Sequence, residues 1–247
     1  MWIRINKYKN FITLIIKSTL QTKKYRVGFW LLLRFNIDLF LIYFYNVARF
    51  KKIKSSYQKY IKKNLTISYN WFGNSPQIWF YFFKRLKLFG KKIKILEIGS
   101  FEGLSLLYYY YIFIQNNISV TAVDMLSKKS LHFRNFRKNT KLLKNFKFYN
   151  LKSSEFFKKK IKKKYNLIYI DGSHYYKDVF LDAKNSFKVL EKGGLIIFDD
   201  FVQDWTKKNL DNHLEYHNVI GGVLLFLDTI KNYKTLYVGH QVIIQKK

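Results

Sequence analysis

The sequence predicts an α/β fold. Residues 91–247 should form a doubly wound, mostly parallel sheet that ends in an antiparallel hairpin, and residues 1–90 a helical extension. From Lys92 onward, short β-branched or aromatic runs alternate with helical segments, as in parallel sheets with helices on both faces. The last two runs are separated only by Gly239-His240, which reads as a two-residue hairpin. Before Ile93 the chain is helical and aromatic, and its charge differs: residues 1–94 hold 21 basic residues and one acid, Asp38, whereas residues 95–247 hold 25 basic and 14 acidic.

In the extension, Phe29–Tyr45 is the only candidate membrane span, and at about 17 residues it sits at the lower limit of length. Arg34, Asn36 and Asp38 lie at its middle, where Arg or Asp costs roughly 2.5–3.5 kcal/mol each. Arg34 and Asp38 are i,i+4 and can pair. Lys23, Lys24, Arg49, Lys51, Lys52 and Lys54 flank the segment, which suits a helix lying on an anionic membrane surface. Packing on the main domain or on a partner subunit is the other reading. No small-residue cleavage site follows the apolar run Phe11–Ile16, so no cleavable signal peptide is expected. Ser75-Pro76 opens a helix as N-cap and first turn, Gln77–Phe89 continues it, and Gly90 should stop it. Trp71, Phe72 and Trp79 crowd this point, either over a ligand pocket or in a core.

The predicted strands are Ile93–Ile98, Ser119–Asp124, Phe146–Asn150, Asn166–Asp171, Leu195–Asp199, Lys234–Val238 and Gln241–Gln245. The predicted helices between them are Leu104–Gln115, Lys128–Leu143, Glu155–Lys163 and Asp178–Glu191. The last places Phe180, Ala183, Phe187 and Leu190 on one face, with Gly193-Gly194 as its stop.

Composition excludes several chemistries. With no cysteine there is no disulfide framework, thiolate metal site or cysteine nucleophile, and the absence fits a reducing compartment. The net charge of +31 would suit nucleic acid or an anionic membrane. Yet 39 of the 46 basic residues are Lys and 7 are Arg, and Phe, Tyr, Ile and Asn are abundant, a set favoured by an AT-rich genome. Phosphate and base recognition would favour Arg, whose planar fork binds bidentately.

In open α/β sheets ligands bind beyond the carboxyl ends of the strands. The first strand runs into Glu97-Ile-Gly99-Ser100-Phe-Glu-Gly103-Leu-Ser105, where Gly99 and Gly103 let backbone approach a ligand at a helix N-terminus. The second ends at Asp124, an acid suited to ribose hydroxyls. The fourth ends at Asp171-Gly-Ser-His174, and the fifth at Asp199-Asp200. In a chain with 15 acids, acids at four strand ends argue against chance.

This ordered set resembles the class I S-adenosylmethionine-dependent methyltransferases, from about Ile93 to Lys247. The resemblance implies a Rossmann-like seven-stranded sheet. It implies cofactor contacts from Glu97, Gly99, Ser100, Gly103, Ser105 (toward the methionine carboxylate), Asp124 (toward ribose) and Ser153 or Ser154 (near adenine). Leu151-Lys152 departs from the usual third motif. Asp171-Gly-Ser-His174-Tyr with Asp199-Asp200-Phe is similar to the small-molecule O-methyltransferases, including a group acting on sugars and polyketides. In that group the residue three after the first acid acts as general base, which implies His174.

Adjacent parallel strands lie about 4.8 Å apart, so Asp171, Asp199 and Asp200 can face one point. Three carboxylates so close call for a cation, and hard oxygen donors suit Mg²⁺ or another divalent ion. The resemblance implies the same metal, holding an acceptor hydroxyl and lowering its pKa. His132 and His240 show no ligand spacing, and His213 and His217, though i,i+4 as in a metal pair on a helix face, precede Gly221-Gly222, which argues against a long helix there. The expected protein is a cytoplasmic O-methyltransferase of a small hydroxylated acceptor such as a sugar, peripheral to the inner membrane surface. An RNA methyltransferase, or a membrane-surface scaffold with a decayed domain, are the rival readings. No nucleic-acid catalytic motif is visible, and intact acids argue against decay.

Overall fold

The computed structural model describes residues 2–45, 47–73, 75–114, 117–159, 161–201 and 218–247, with side chains described within these except at 2–11, 36–45 and 47–51. Seven strands form one sheet: β1 (Ile93–Ile98), β2 (Ile118–Asp124), β3 (Phe146–Asn150), β4 (Tyr165–Ile170), β5 (Leu190–Phe198), β6 (Tyr233–Val238) and β7 (Val242–Lys246), in the order β3-β2-β1-β4-β5-β7-β6. The pairs β1–β2, β2–β3 and β4–β5 are parallel, while β7 runs antiparallel to β5 and to β6. The helices are α1 (Trp2–Thr22), α2 (Tyr25–Tyr45), α3 (Val47–Asn64), α4 (Ser75–Arg85), α5 (Leu104–Ile112), α6 (Leu131–Thr140), α7 (Ser153–Lys158), α8 (Tyr176–Val189) and α9 (Val219–Thr229). The predicted Rossmann-like mixed sheet is therefore observed. Nearly every residue of β1, β2 and β4 is buried, as in strands covered on both faces.

Two compact units share the chain: residues 42–160, and residues 1–41 together with 161–247. In the first, Trp79 is fully buried, stacked on Tyr109 at 5.3 Å and edge-on to Phe72 at 4.9 Å. Trp79 and Phe72 are thus core, whereas Trp71 is 74% exposed. In the second, α2 buries Val27, Leu31 and Phe35, one face at i,i+4 spacing, and leaves Phe29, Trp30 and Leu33 exposed. The Asp38 side chain of the expected Arg34 pair lies outside the described residues, and Arg34 donates to the Leu236 carbonyl at 3.1 Å. Gly28 lets α1 approach α2, since a Cβ there would lie 2.0 Å from Thr19 Oγ1. Asn218 joins α1 to α9: its Oδ1 accepts from Ser18 at 3.0 Å and caps α9 through the Gly221 N–H at 2.7 Å. Among the described residues no helix is long and apolar enough to cross a membrane.

The structure corrects several local expectations. Helix α4 ends at Arg85 rather than at Gly90, because Lys87 takes the left-handed position (φ 54). Leu88 N–H then bonds Phe83 O and Lys87 N–H bonds Lys84 O, which together satisfy the helix end as a Schellman motif does. Helix α8 ends at Val189, and Leu190 already pairs with Tyr165 in the sheet. Gly193-Gly194 belongs to a bulge in β5, where the register jumps from Tyr165↔Leu190 to Leu167↔Leu195. The inward face of α8 is Val179, Asp182, Ala183, Ser186 and Val189 rather than the phenylalanines. Helix α9 packs there so closely that a Cβ on Gly222 would lie 2.7 Å from Val179, which favours small residues at the contact. The β6–β7 turn has three residues, Gly239–Gln241, closed by Gly239 N–H to Gln241 O at 2.9 Å.

Candidate active site

Residues 42–160 hold a glycine loop. After β1 the backbone turns left-handed at Gly99 (φ 82), Phe101 (φ 44) and Gly103 (φ 87), and the chain enters α5. Asp124, at the end of β2, accepts from the Ser100 and Phe101 N–H groups at 2.8 and 2.9 Å through one oxygen, Oδ2. Glu97 is buried and accepts from Ser105 Oγ at 3.2 Å. The hydroxyl of Ser100 is buried without a partner. Glu97, Gly99, Ser100, Gly103, Ser105 and Asp124 are thus brought together. Ser153 opens α7 just after β3, whose last residue, Asn150, lies opposite Asp124. The Asn150 amide clamps Leu126 in both directions, at 2.9 and 3.0 Å, and so shapes the segment after Asp124.

Glu102, within the loop, gives a second support that sequence reasoning missed. Its buried carboxylate accepts from Ser68 N at 2.6 Å, Ser68 Oγ at 2.7 Å and Asn135 Nδ2 at 2.8 Å, with His132 Nδ1 at 3.0 Å. Burial works to raise its pKa, but the hydrogen bonds from His132, Ser68 and Asn135 outweigh it and hold the carboxyl below the usual 4.5. A lowered folded pKa means stability present above 4.5 and lost as the pH falls through the folded value. Glu102→Gln, which turns an amide NH₂ toward donors, is expected to cost about 2 kcal/mol in urea unfolding at pH 7. The gap should narrow below pH 4.5. An equal gap at both pH values would show that the charge of Glu102 does not matter.

The other unit carries the acids. Asp171 follows β4, and Asp199 and Asp200 follow β5, with Asp199 N–H bonded to Ile170 O at 3.0 Å. The Tyr169 hydroxyl donates to Asp199 Oδ2 and lies 3.0 Å from Asp171 Oδ2. His174 Nε2 is 3.3 Å from Asp200 Oδ2 and 3.9 Å from Asp171 Oδ1. His240 was not expected here. Its Nδ1 is 3.4 Å from Asp199 Oδ1 and its Nε2 3.6 Å from Asp200 Oδ1. Among the described residues two groups could each hold a metal ion: Asp171, His174 and Asp200, and Asp199, Asp200 and His240, with donor atoms of each within 4.8 Å of one another. Asp200 is common to both, while Asp171 and Asp199 fall in different groups. His213 and His217 lie outside the described residues.

Burial, and then the charge of Asp199, pushes Asp171 up to about 7. His174 is raised above 6.5, first by the neighbouring Asp171 carboxylate and then by the charge of Asp200, against the lowering effect of burial. Burial also works to raise Asp199, but the imidazole of His240, the Tyr169 hydroxyl and the Asp200 N–H outweigh it and hold its carboxyl below the usual range. The donor chemistry of each group fits a divalent ion: carboxylate oxygens from two aspartates and one imidazole nitrogen.

The sheet order, the glycine loop and the strand-end acids define a class I S-adenosylmethionine-dependent methyltransferase fold. Residues 96–201 match the family described as methyltransferase domain. An uncharacterised protein of Acanthamoeba polyphaga mimivirus is 29% identical over 158 residues, covering 60% of this chain. The chain spans 66% of that relative's length. In fold, the chain is similar to an O-methyltransferase from Bacillus cereus in complex with S-adenosylhomocysteine (TM-score 0.55, 15% identity, 88% of this chain and 100% of that one). It is also similar to an S-adenosylhomocysteine-bound methyltransferase from Podospora anserina (TM-score 0.55, 18% identity, 78% and 87%). A third similar structure is the MycE methyltransferase of the mycinamycin biosynthetic pathway, with Mg and S-adenosylhomocysteine (TM-score 0.56, 14% identity, 81% and 54%).

Proposed function

We propose that the protein is a divalent-metal-assisted O-methyltransferase acting on a small hydroxylated acceptor such as a sugar, with residues 91–247 as its catalytic domain and residues 1–90 as an extension. The observation that carries this reading is the cluster of Asp171, His174, Asp199 and Asp200 at the ends of β4 and β5. The similar MycE structure that holds Mg and mycinamycin VI supports the choice of metal and acceptor class.

S-adenosylmethionine supplies the methyl group when bound. The residues for it are Glu97, Gly99, Ser100, Gly103, Ser105, Asp124 and Ser153. Gly99 and Gly103 bring backbone N–H groups close, and Asp124 both holds the loop and offers its carboxylate to ribose. A divalent ion at Asp171, Asp199 and Asp200 would supply Lewis acidity that lowers the pKa of a coordinated hydroxyl. His174 takes the acceptor proton at Nε2, and the carboxylates of Asp171 and Asp200 stabilise the imidazolium that results. The test incubates the protein with S-adenosylmethionine and a panel of sugars and phenols and assays S-adenosylhomocysteine. Turnover on none of them, with or without added metal, would sink the reading.

Asp124→Ala is expected to weaken S-adenosylmethionine binding at least tenfold by calorimetry, because it removes charged hydrogen bonds worth about 1.5–3 kcal/mol. Unchanged affinity would remove the ribose assignment.

Peripheral contact with an anionic membrane belongs to the same reading. Phe29 and Trp30 are 70% and 48% exposed beside Lys23 and Arg26. Basic residues near such a surface contribute about 1 kcal/mol each. Phe29→Ser with Trp30→Ser should abolish cosedimentation with phosphatidylserine vesicles at 150 mM salt, roughly physiological ionic strength. Retained binding would assign the contact elsewhere.

A further inference from the structure

We propose that His240 is a nitrogen donor to the divalent ion. Beside Asp199 and Asp200 it adds nitrogen to the carboxylate set, giving a mixed oxygen–nitrogen site that prefers a borderline transition ion, of the Mn²⁺ to Co²⁺ kind, over Mg²⁺. The inference rests on the metal reading above and concerns which ion is held and by what.

Sheet register puts the imidazole there. Phe198 of β5 pairs with Val242 of β7, so the residues just past the end of β5 meet those just before β7. The contact is clamped by main chain: Phe201 N–H donates to His240 O at 2.9 Å. Asp200 is held left-handed at φ 48, an uncommon conformation for a residue with a Cβ. It turns the carboxylate back, with Oδ1 3.6 Å from His240 Nε2 and Oδ2 3.3 Å from His174 Nε2. Glycine starts the turn, and a Cβ there would lie 2.1 Å from the Tyr237 hydroxyl, so a larger residue would displace that ring. One edge of the imidazole therefore faces both aspartates, and the donor atoms of all three residues lie within 4.8 Å of one another.

Donor chemistry then decides the ion. Mg²⁺ takes oxygen ligands and keeps several waters, so an imidazole adds little to its binding. First-row transition ions gain from imidazole nitrogen, increasingly from Mn²⁺ to Co²⁺. In this assignment His174 serves as the base and His240 as the nitrogen ligand. Its ring meets Asp200 through the other carboxylate oxygen, Oδ2.

The test uses the full chain, stripped with chelator, and titrates MgCl₂ and CoCl₂ by calorimetry without cofactor or acceptor. The visible absorption of bound Co²⁺, which reports its ligands, is recorded in parallel. The wild type should bind Co²⁺ at least tenfold more tightly than Mg²⁺. His240→Ala should lose at least tenfold in Co²⁺ affinity with a changed Co²⁺ spectrum, while Mg²⁺ affinity moves less than threefold. His240→Asp, with an all-oxygen set, should bind Mg²⁺ more tightly than the wild type and lose the preference for Co²⁺. Equal losses for both ions, or an unchanged Co²⁺ affinity and spectrum in a folded His240→Ala, would make His240 a counter-ion to Asp199 and overturn the inference alone. A wild type that binds neither ion would overturn the metal reading together with it.

Discussion

His174→Ala is expected to lower kcat at least a hundredfold while S-adenosylmethionine affinity stays within about threefold. A general base contributes about 10²–10⁴-fold, and this one would face the acceptor rather than the cofactor. The loop that carries it does not depend on the ring. The His174 carbonyl accepts from Asn218 N–H at 2.9 Å, and Ser173 Oγ bonds Asp178 at 2.7 Å, so alanine leaves both anchors in place. The wild-type rate should fall on the acid side as the imidazole protonates, and the variant should lack that limb. A variant that keeps more than a tenth of the wild-type kcat would leave His174 a structural residue.

Chelation is expected to reduce turnover at least a hundredfold, with recovery on adding a divalent ion, and Asp199→Ala should show a similar loss without recovery. Without a cation, three carboxylates and the Tyr169 hydroxyl crowd one another, and Asp171 holds a proton up to about pH 7. A Lewis acid is worth several kcal/mol at a developing alkoxide, which sets the size of the loss. Full turnover in chelator would mean that the acids orient the acceptor by hydrogen bonds alone.

The candidate site was legible where it rests on strand ends. Asp124, Asp171, Asp199 and Asp200 each close an apolar run, and a parallel strand buried on both faces is such a run. The glycine loop was legible because Gly99 and Gly103 meet a backbone demand that most side chains cannot. His240 was not legible. It reaches Asp199 and Asp200 only through the β5–β7 register, and a lone histidine in a hairpin turn carries no ligand spacing. Glu102 had only its place in the loop to suggest a role, since its partners Ser68, His132 and Asn135 come from elements distant in sequence. Lys87 hid the end of α4 because Gly90, nearby, was the stronger stop signal, whereas hydrogen-bond closure was reached three residues earlier.

Read alone, the chain determined the alternation of strands and helices, the closing hairpin, the acids at the strand ends and the absence of thiol chemistry. These are local properties, set by apolar periodicity, turn chemistry and residue type. Tertiary structure decided the rest. It set the face of α8, which follows from the close approach of Gly222 to Val179. It divided α2 between a buried stripe and an exposed one, which hydropathy reads as a single apolar run. It also chose the partners of Asp199 and Asp200, because convergence at one point depends on pairing register and turn geometry between distant segments, which a one-dimensional pattern does not encode.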